Sequence, residues 1–467
     1  MNLDRHEALI GGTWVPAGKV IDVDNPATGE RIGSGAASDQ QLVEDAVVAA
    51  AAAQRQWAAL SPVQRADQLD NLLAALRARR DALVDITVAE VGVAVNIARP
   101  WHIDVALDII ASAAHHARNF DFQQEVGHSL LLRRPAGVVG AITPWNYPFY
   151  QLAGKVGSAL AAGCTFVHKP AELTPLSAYM FAEATIEAGL PAGVFNLVPG
   201  SGQEAGAALA AHPRLDVMSF TGSTAVGSTA GAAAMANLTR VCLELGGKSS
   251  SIVCADAQFA AAVRATVDSC MLNSGQSCDA WSRLLVPQER YEEALEIAGA
   301  YASSLVVGDP ASEETDLGPV ITASQRDKIA ETVSQAIQRG ARVITGGPTR
   351  EHGNFVTPTV LADLPVTDPA SQHEIFGPVL IVHPYRDEDE AIEIANNTAY
   401  GLGGSVWAGS TERALAIAAH MNTGQVDLNG ADFNVEAPFG GWKQSGIGRE
   451  FGIEGLLEFT ELTSVQR

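Results

Sequence analysis

Cysteine is scarce in this chain. The five residues Cys164, Cys242, Cys254, Cys270 and Cys278 are too scattered for a disulfide framework and show no CxxC zinc spacing. No metal site is expected. Basic residues are also few, 30 against 53 acidic ones, for a formal charge of −23. That balance argues against nucleic acid and against anionic membrane surfaces as partners. No run of about 18 apolar residues is available to cross a bilayer. The opening MNLDRHEALIGGTW lacks a basic segment leading into an apolar one, so no secretory signal is expected. A reducing, cytoplasmic setting is the expectation, and there an exposed thiol stays a thiol.

What is present is material for a large interior. Hydrophobic residues make up 47% and charged residues 18% of 467 positions, which suits two or three globular domains. The first stretch, with GGTWVP and IDVDNPATGE, reads as a small hairpin. From Asp39 to Arg118, Ala and Leu at helical spacing predict three or four helices. Then short apolar runs alternate with helices. GVVGAIT leads to a helix from Tyr150 to Ala162, TFVHKP to a helix after Pro175, and VFNLV and LDVMSF continue the series. A second series follows Cys278: RLLVP, a helix, RVITGG, VLIVHPY, an acidic helix, GSVWA, a helix and GQVDLN. Such alternation predicts two parallel α/β sheets with a ligand crevice outside the carboxyl ends of strands.

Several short stretches carry chemistry. FTGSTAVG, Phe220 to Gly227, follows a predicted strand and opens a helix, where backbone N–H groups can meet an anion. It is neither a P-loop nor GxGxxG, and PGSGQEAG has the spacing GxGxxxG. The same glycines would serve a plain strand-to-helix turn. In HKPAE, Lys169 can donate to ribose hydroxyls and Glu172 can accept from them. That carboxylate would repel a 2′-phosphate, which points to NAD over NADP, although a surface Lys and Glu at a helix start would read alike.

NSGQSC places Cys278 at the end of a predicted helix in small, polar surroundings, while the other four cysteines sit in apolar segments. Cys278 is the nucleophile candidate. LELGGKS sets Glu244 before a glycine turn, either as a buried general base or as a cap. TPWNYPF holds Asn146 between aromatics and prolines, either as an oxyanion donor or as a structural amide.

PWNYPF, FTGST, ELGGKS, NSGQSC, EIFGPV (Glu374 to Val379) and PFGGWKQSGIGRE (Pro438 to Glu450) occur in that order. Together they resemble the aldehyde dehydrogenase superfamily across nearly the whole chain. The resemblance implies that Cys278 attacks an aldehyde to form a thiohemiacetal. Asn146 and the Cys278 N–H would hold its oxyanion, and Glu244 would activate water to open the thioester. Branches that pass the acyl group to coenzyme A commonly lack this Glu, so hydrolysis to the acid is implied. For the cofactor it implies Lys169 and Glu172 at the adenosine ribose, and Gly222 and Ser223 at the pyrophosphate. Glu374 and Phe376 would sit at the nicotinamide ribose, with Ile142, Thr143, Pro144 and Trp145 along the nicotinamide side and Leu245 as a further cofactor-binding residue. Lys155 and Glu450 match a proton relay to Glu244.

The aldehyde tunnel implied comprises Tyr147, Gln151, Gly154, Ser277, Asp279, Phe433 and Phe439. Gly154, where many relatives carry a bulky side chain, is expected to widen it. Asp279 is expected to disfavour anionic aldehydes by like-charge repulsion. The implied division is 1–116 and 136–246 for NAD binding, 247–445 for catalysis, and 117–135 with 446–467 for oligomerisation strands and tail. A homodimer or homotetramer follows by analogy. Two other readings are a catalytically idle scaffold on the same fold and a thioesterase or esterase without nicotinamide. The presence of Cys278 and Glu244 opposes the first, and Lys169, Glu172 and Glu374 oppose the second.

Overall fold

The computed structural model describes residues 3–347 and 353–467. Two large sheets organise them. In the first, Arg240–Glu244, Val217–Thr221, Val138–Ile142, Thr165–Lys169 and Phe195–Leu197 lie side by side and parallel. The hairpin Glu7–Ile10 with Thr13–Pro16 closes one edge, and the antiparallel pair Gly446–Ile447 closes the other. Val138–Ile142, Thr165–Lys169 and Val217–Thr221 are buried at every position. Such strands need helices on both faces, which suits the apolar run Val138–Ile142, and the polar Thr165, His168, Lys169, Ser219 and Thr221 are buried along with the apolar residues of the other two.

The helices come from the Ala- and Leu-rich segment and from the crossovers. Gln40–Ala58, Pro62–Arg77, Arg80–Val91 and Val105–Asn119 form the first group, joined by a wide helical turn at Ala98–Asp104. Ser61 and Gln64 cap the second helix reciprocally, each side chain taking the other's backbone N–H. Crossover helix Pro148–Ala162 begins two residues earlier than the pattern suggested, because Pro148 suits a first helical turn.

The second sheet runs Arg342–Thr345, Thr359–Ala362, Val379–Tyr385, Arg283–Pro287, Ser250–Val253, Gly404–Trp407, Asp427–Leu428. RVITGG departs from the expected parallel series: Arg342–Thr345 pairs antiparallel at the edge. The strand Thr359–Ala362 and the helix Ala323–Gln338 are additions to it.

How the sheets meet fixes the site. Strand order in the first reverses between Val138–Ile142 and Val217–Thr221, so a crevice opens at their carboxyl ends, beside Thr143 and Gly222. The second sheet presents amino ends instead. Gly247, Cys278 and Glu374 all lie just before adjacent strands that begin at Ser250, Arg283 and Val379.

A third sheet pairs Thr460–Gln466 with Ser129–Pro135 and Gln123–Val126. The rest of the 446–467 segment does not belong to it. Gly446–Ile447 joins the first sheet, and Leu456 and Phe459 enter that sheet's core. Among the described residues no helix is long and apolar enough to cross a membrane.

Candidate active site

Helix Phe259–Met271 stops well short of Cys278, so the cysteine does not end a helix. Asn273 (φ 51, ψ 38), Ser274 (φ 57, ψ 33) and Gly275 (φ 74) are successively left-handed. Non-glycine residues rarely adopt this backbone, and a run of them requires outside support. Here the side chains supply it. Asn273 Nδ2 donates to the Asn146 carbonyl at 2.9 Å, and Ser274 Oγ donates to the Gly318 carbonyl at 2.8 Å. Gln276 Nε2 returns to the Asn273 carbonyl at 3.0 Å, while its Oε1 accepts from Ile321 N at 2.9 Å. Gly275 has no alternative: a Cβ there would overlap the backbone of Gly377 and Pro378. NSGQSC is thus a reversed turn tied to Asn146, Gly318 and Ile321 and packed at Gly275 against Gly377 and Pro378 of EIFGPV.

Asn146 faces the same turn. Its Nδ2 donates to the Gln276 carbonyl at 2.8 Å, which leaves the second amide hydrogen for another acceptor. The residue is buried. With Asn273 it forms a reciprocal clasp between the two loops.

Glu244 ends the strand Arg240–Glu244, paired on one side with Thr221 and on the other with Gly446. Among the described residues neither carboxylate oxygen has a hydrogen-bond partner, although both are buried. Burial first, and then the Glu450 carboxylate, push Glu244 well above the usual carboxylate range. A Cβ at Gly440 would come within 2.6 Å of Glu244 Oε1, so PFGG is glycine-bearing where it passes this acid. Lys155 Nζ is buried between the Glu450 carboxylate and Ser219 Oγ. Removing one partner from such a pair typically costs about 3–5 kcal/mol.

The two glycines after Leu245 have the same origin. A Cβ at Gly246 would strike the Glu374 carboxylate, and one at Gly247 would strike the Cys278 carbonyl. Glu374 Oε1 accepts from Gly247 N at 3.1 Å, and burial raises this acid to about 7. Cys278 is partly exposed, whereas the other four cysteines are buried. Burial, followed by the carboxylates of Asp279, Glu374 and Glu244, holds the Cys278 thiol well above its ordinary value. At rest it is a thiol that needs a base.

Two cavities share Cys278 in their walls. One, of about 500 Å³, is walled by Tyr147, Tyr150, Gln151, Phe433, Phe439 and Asp279, with Trp101 and Leu272. The other, of about 690 Å³, runs from Trp145 and Asn146 past Gly222, Ser223 and Leu245 to Glu374 and Phe376. Cys278 is the residue that lines both. A family model described as the aldehyde dehydrogenase family matches residues 14–465.

The chain belongs to the aldehyde dehydrogenase family.

It is 44% identical to 3-succinoylsemialdehyde-pyridine dehydrogenase of a Pseudomonas species, over 99% of this chain and 98% of the relative. A solved mutant of aldehyde dehydrogenase C from Pseudomonas syringae, in complex with NAD+ and octanal, superposes with TM-score 0.97 at 40% identity. That match covers 99% of this chain and 96% of that one. An NADP-dependent E. coli enzyme superposes with TM-score 0.95 at 36% identity, covering 99% of this chain and 98% of that one. This aldehyde dehydrogenase is therefore an oxidoreductase acting on aldehydes, built on two parallel-sheet units with a small β arm.

Of the sequence-expected cofactor residues, Pro144, Trp145, Gly222, Ser223, Leu245, Glu374 and Phe376 line the second cavity. Phe376 meets Trp145 edge-on, ring centroids 5.4 Å apart. Ser223 caps the helix Thr224–Met235, its Oγ accepting from Val226 N, and Gly222 N donates to the Glu244 carbonyl. Ile142 and Thr143 lie deeper; Thr143 Oγ1 bonds His168 Nε2 at 2.9 Å. Lys169 and Glu172 form an ion pair at 3.2 Å. Among the described residues Thr221 Oγ1 is buried without a partner at the crevice floor.

On the aldehyde side, Ser277 bonds the Tyr147 hydroxyl at 2.6 Å rather than facing the inner cavity. Gly154 does not widen the tunnel. A Cβ there would lie 2.6 Å from Phe451 Cε1, because that ring already fills the space. Sequence reading overlooked Tyr150, Trp101, Leu272, Gln325 and Lys328. Tyr150 sits one helical turn after Tyr147, which is a readable signal. Gln325 Nε2 holds the Phe376 carbonyl at 2.8 Å from a helix whose place in the site no motif marks.

Proposed function

We propose that the chain oxidises a neutral, apolar-tailed aldehyde to its carboxylic acid, with NAD preferred over NADP and hydrolysis as the closing step. The observation that carries this is the position of Cys278 as the shared wall of two cavities, one aromatic and one reaching a helix N-terminus. Cys278 Sγ adds to the aldehyde carbonyl as its proton passes to the Glu244 carboxylate, a charged neighbour of the thiol whose oxygens have no partner among the described residues. The second N–H of Asn146 and the backbone N–H of Cys278 hold the resulting oxyanion. Such a donor contributes about 10²–10³ in rate. NAD, when bound, supplies the hydride acceptor, and oxidation of the thiohemiacetal leaves a thioester on Cys278. Ionised Glu244 then takes a proton from water, whose oxygen attacks the thioester and releases acid and thiol. Glu244 returns the water proton to the departing Cys278 sulfur, and Lys155 and Glu450 form the buried exit for the proton taken from the thiol in the first step.

The crevice suits a dinucleotide. Thr221 Oγ1, the Ser223-capped helix end and the Glu374 carboxylate offer one partner each to hydroxyl or phosphate oxygens. Lys169 would bond the adenosine ribose, and Glu172, half exposed beside it, would repel a 2′-phosphate. The NADP-dependent relative makes this preference the point to measure.

For the aldehyde, the outer vestibule carries Asp268, Asp279, Asp316, Asp427 and Asp432, with no Lys, Arg or His among its described lining residues. A carboxylate-tailed aldehyde meets repulsion there. Relatives that act on a pyridine-bearing semialdehyde and bind octanal agree with an uncharged tail. The arm Gln123–Val126, Ser129–Pro135 and Thr460–Gln466 would pair subunits into a dimer or tetramer. We assign 1–116 and 136–246 to cofactor binding and 247–445 to catalysis.

An aldehyde panel followed by nicotinamide absorbance, run with NAD and NADP in parallel, tests these assignments. Octanal is expected to exceed succinate semialdehyde in kcat/KM, and NAD to exceed NADP. Equal rates for the two aldehydes remove Asp279 from selectivity.

A further inference from the structure

Phe451 has a backbone that side chains avoid. Its φ of 65° and ψ of 163° fall in a region entered almost only by glycine. The residue is nonetheless a phenylalanine, 2% exposed. Two adjacent contacts hold it. Glu450 takes the ammonium of Lys155, and the next residue, Phe451, seats its ring on Gly154, the neighbour of Lys155. The ring fits there because Gly154 has no side chain.

The other edges of the ring brace the aldehyde cavity. Phe451 meets Tyr150 at 5.6 Å, Phe433 at 6.2 Å and Phe439 at 5.9 Å between centroids. Those three rings line the cavity, whereas Phe451 stands behind them. On its far side is a second, small cavity bounded by Ile109, His116, Ser158 and Leu456. Phe451 is thus a partition between two spaces, set on a strained backbone and seated on a glycine.

We propose that the Gly154–Phe451 pair is a specificity determinant of this enzyme: Phe451 positions the three lining rings and closes off the rear cavity, which limits the length of aldehyde tail accepted. It is a positioning residue, because it acts through Tyr150, Phe433 and Phe439. The proposal rests on the aldehyde-site reading given above. Volume that a large residue at position 154 would supply comes here from the C-terminal segment, so the two positions are coupled.

The test uses the full-length enzyme with NAD and straight-chain aldehydes from propanal to dodecanal. The variants are Phe451→Ala, Phe451→Leu, Gly154→Ala and the double Gly154→Ala/Phe451→Ala. In Phe451→Ala the kcat/KM ratio of dodecanal to propanal should rise about tenfold, carried by KM, as expected when several methylenes gain a site. Phe451→Leu should move it the same way by less. Gly154→Ala, which pushes the ring into the cavity, should lower the ratio about tenfold, and the double variant should abolish that drop. Ratios within about twofold of wild type in Phe451→Leu and Gly154→Ala overturn the proposal even if Phe451→Ala is inactive. So does a double variant that keeps the full Gly154→Ala defect. A wild-type enzyme that turns over no aldehyde of the series overturns the aldehyde-site reading itself, and the pair's role with it.

Discussion

Asn146 and Asn273 clasp the two loops of the active site: Asn273 Nδ2 donates to the Asn146 carbonyl at 2.9 Å, while Asn146 Nδ2 donates across to Gln276 at 2.8 Å. The proposed oxyanion donor and the turn carrying the proposed nucleophile are therefore one unit. The left-handed run at Asn273 and Ser274 is the cost of that arrangement, about 1–3 kcal/mol for each residue so held.

Replacing Asn146 by Ala should lower kcat by about 10²–10³ with a smaller effect on KM. Asn273→Ala leaves the donor in place but unties the turn. Its kcat should fall by about tenfold, and Cys278 alkylation should become faster as the turn loosens. Steady-state kinetics beside iodoacetamide labelling separate the two effects. Wild-type kcat in Asn273→Ala would show that the turn holds itself.

Cys278 should alkylate as a thiol with a raised pKa. Its neighbours Asp279, Glu374 and Glu244 all favour the neutral form, after burial. Below the folded pKa the thiolate fraction rises about tenfold per pH unit, so iodoacetamide rates should still climb beyond about pH 9. Asp279→Asn removes one negative neighbour and should speed the reaction at pH 8 by about three- to tenfold. A plateau below the ordinary thiol value would contradict this.

Glu374 supplies a pH signature. Burial raises its pKa from the ordinary carboxylate value of 4.5 to about 7. Between those values the folded chain binds more protons here than the unfolded chain, so this group's contribution falls as pH rises through that window. At about 1.4 kcal/mol per unit, Glu374→Gln should gain on wild type by up to about 3 kcal/mol between pH 4.5 and pH 8. Denaturant unfolding without cofactor measures the difference. With the proposed role of the ionised Glu374 carboxylate in accepting ribose hydroxyls, the KM for NAD should fall as pH rises through about 7 in wild type, and the Gln variant should lose that trend.

Most of this site was legible because close approach imposes glycine. Gly246, Gly247, Gly275 and Gly440 each pass against Glu374, Cys278, the Gly377 backbone or Glu244, so the motifs record contacts. The parallel strands were legible from short, mostly apolar runs alternating with helices, the plainest being Val138–Ile142. Other features left no local mark. The left-handed run at Asn273 is stabilised by residues distant in the chain, so its sequence reads as a helix end. Helix Ala323–Gln338 buries only a narrow stripe, Ile329, Ala330, Val333 and Ala336, within a polar segment. Gly154 was read as empty space because the Phe451 ring that fills it comes from almost 300 positions away. Such compensation is invisible to a reading that proceeds motif by motif.

The central claim is that Cys278 carries the acyl group and Glu244 removes it. Glu244→Gln, mixed with NAD and octanal and analysed by intact mass and peptide mapping, tests it most directly. One equivalent of reduced nicotinamide should form per active site, followed by arrest. Cys278 should then have gained the mass of octanal less two hydrogens. Sustained turnover with an unmodified Cys278, or an adduct on any other residue, would contradict it.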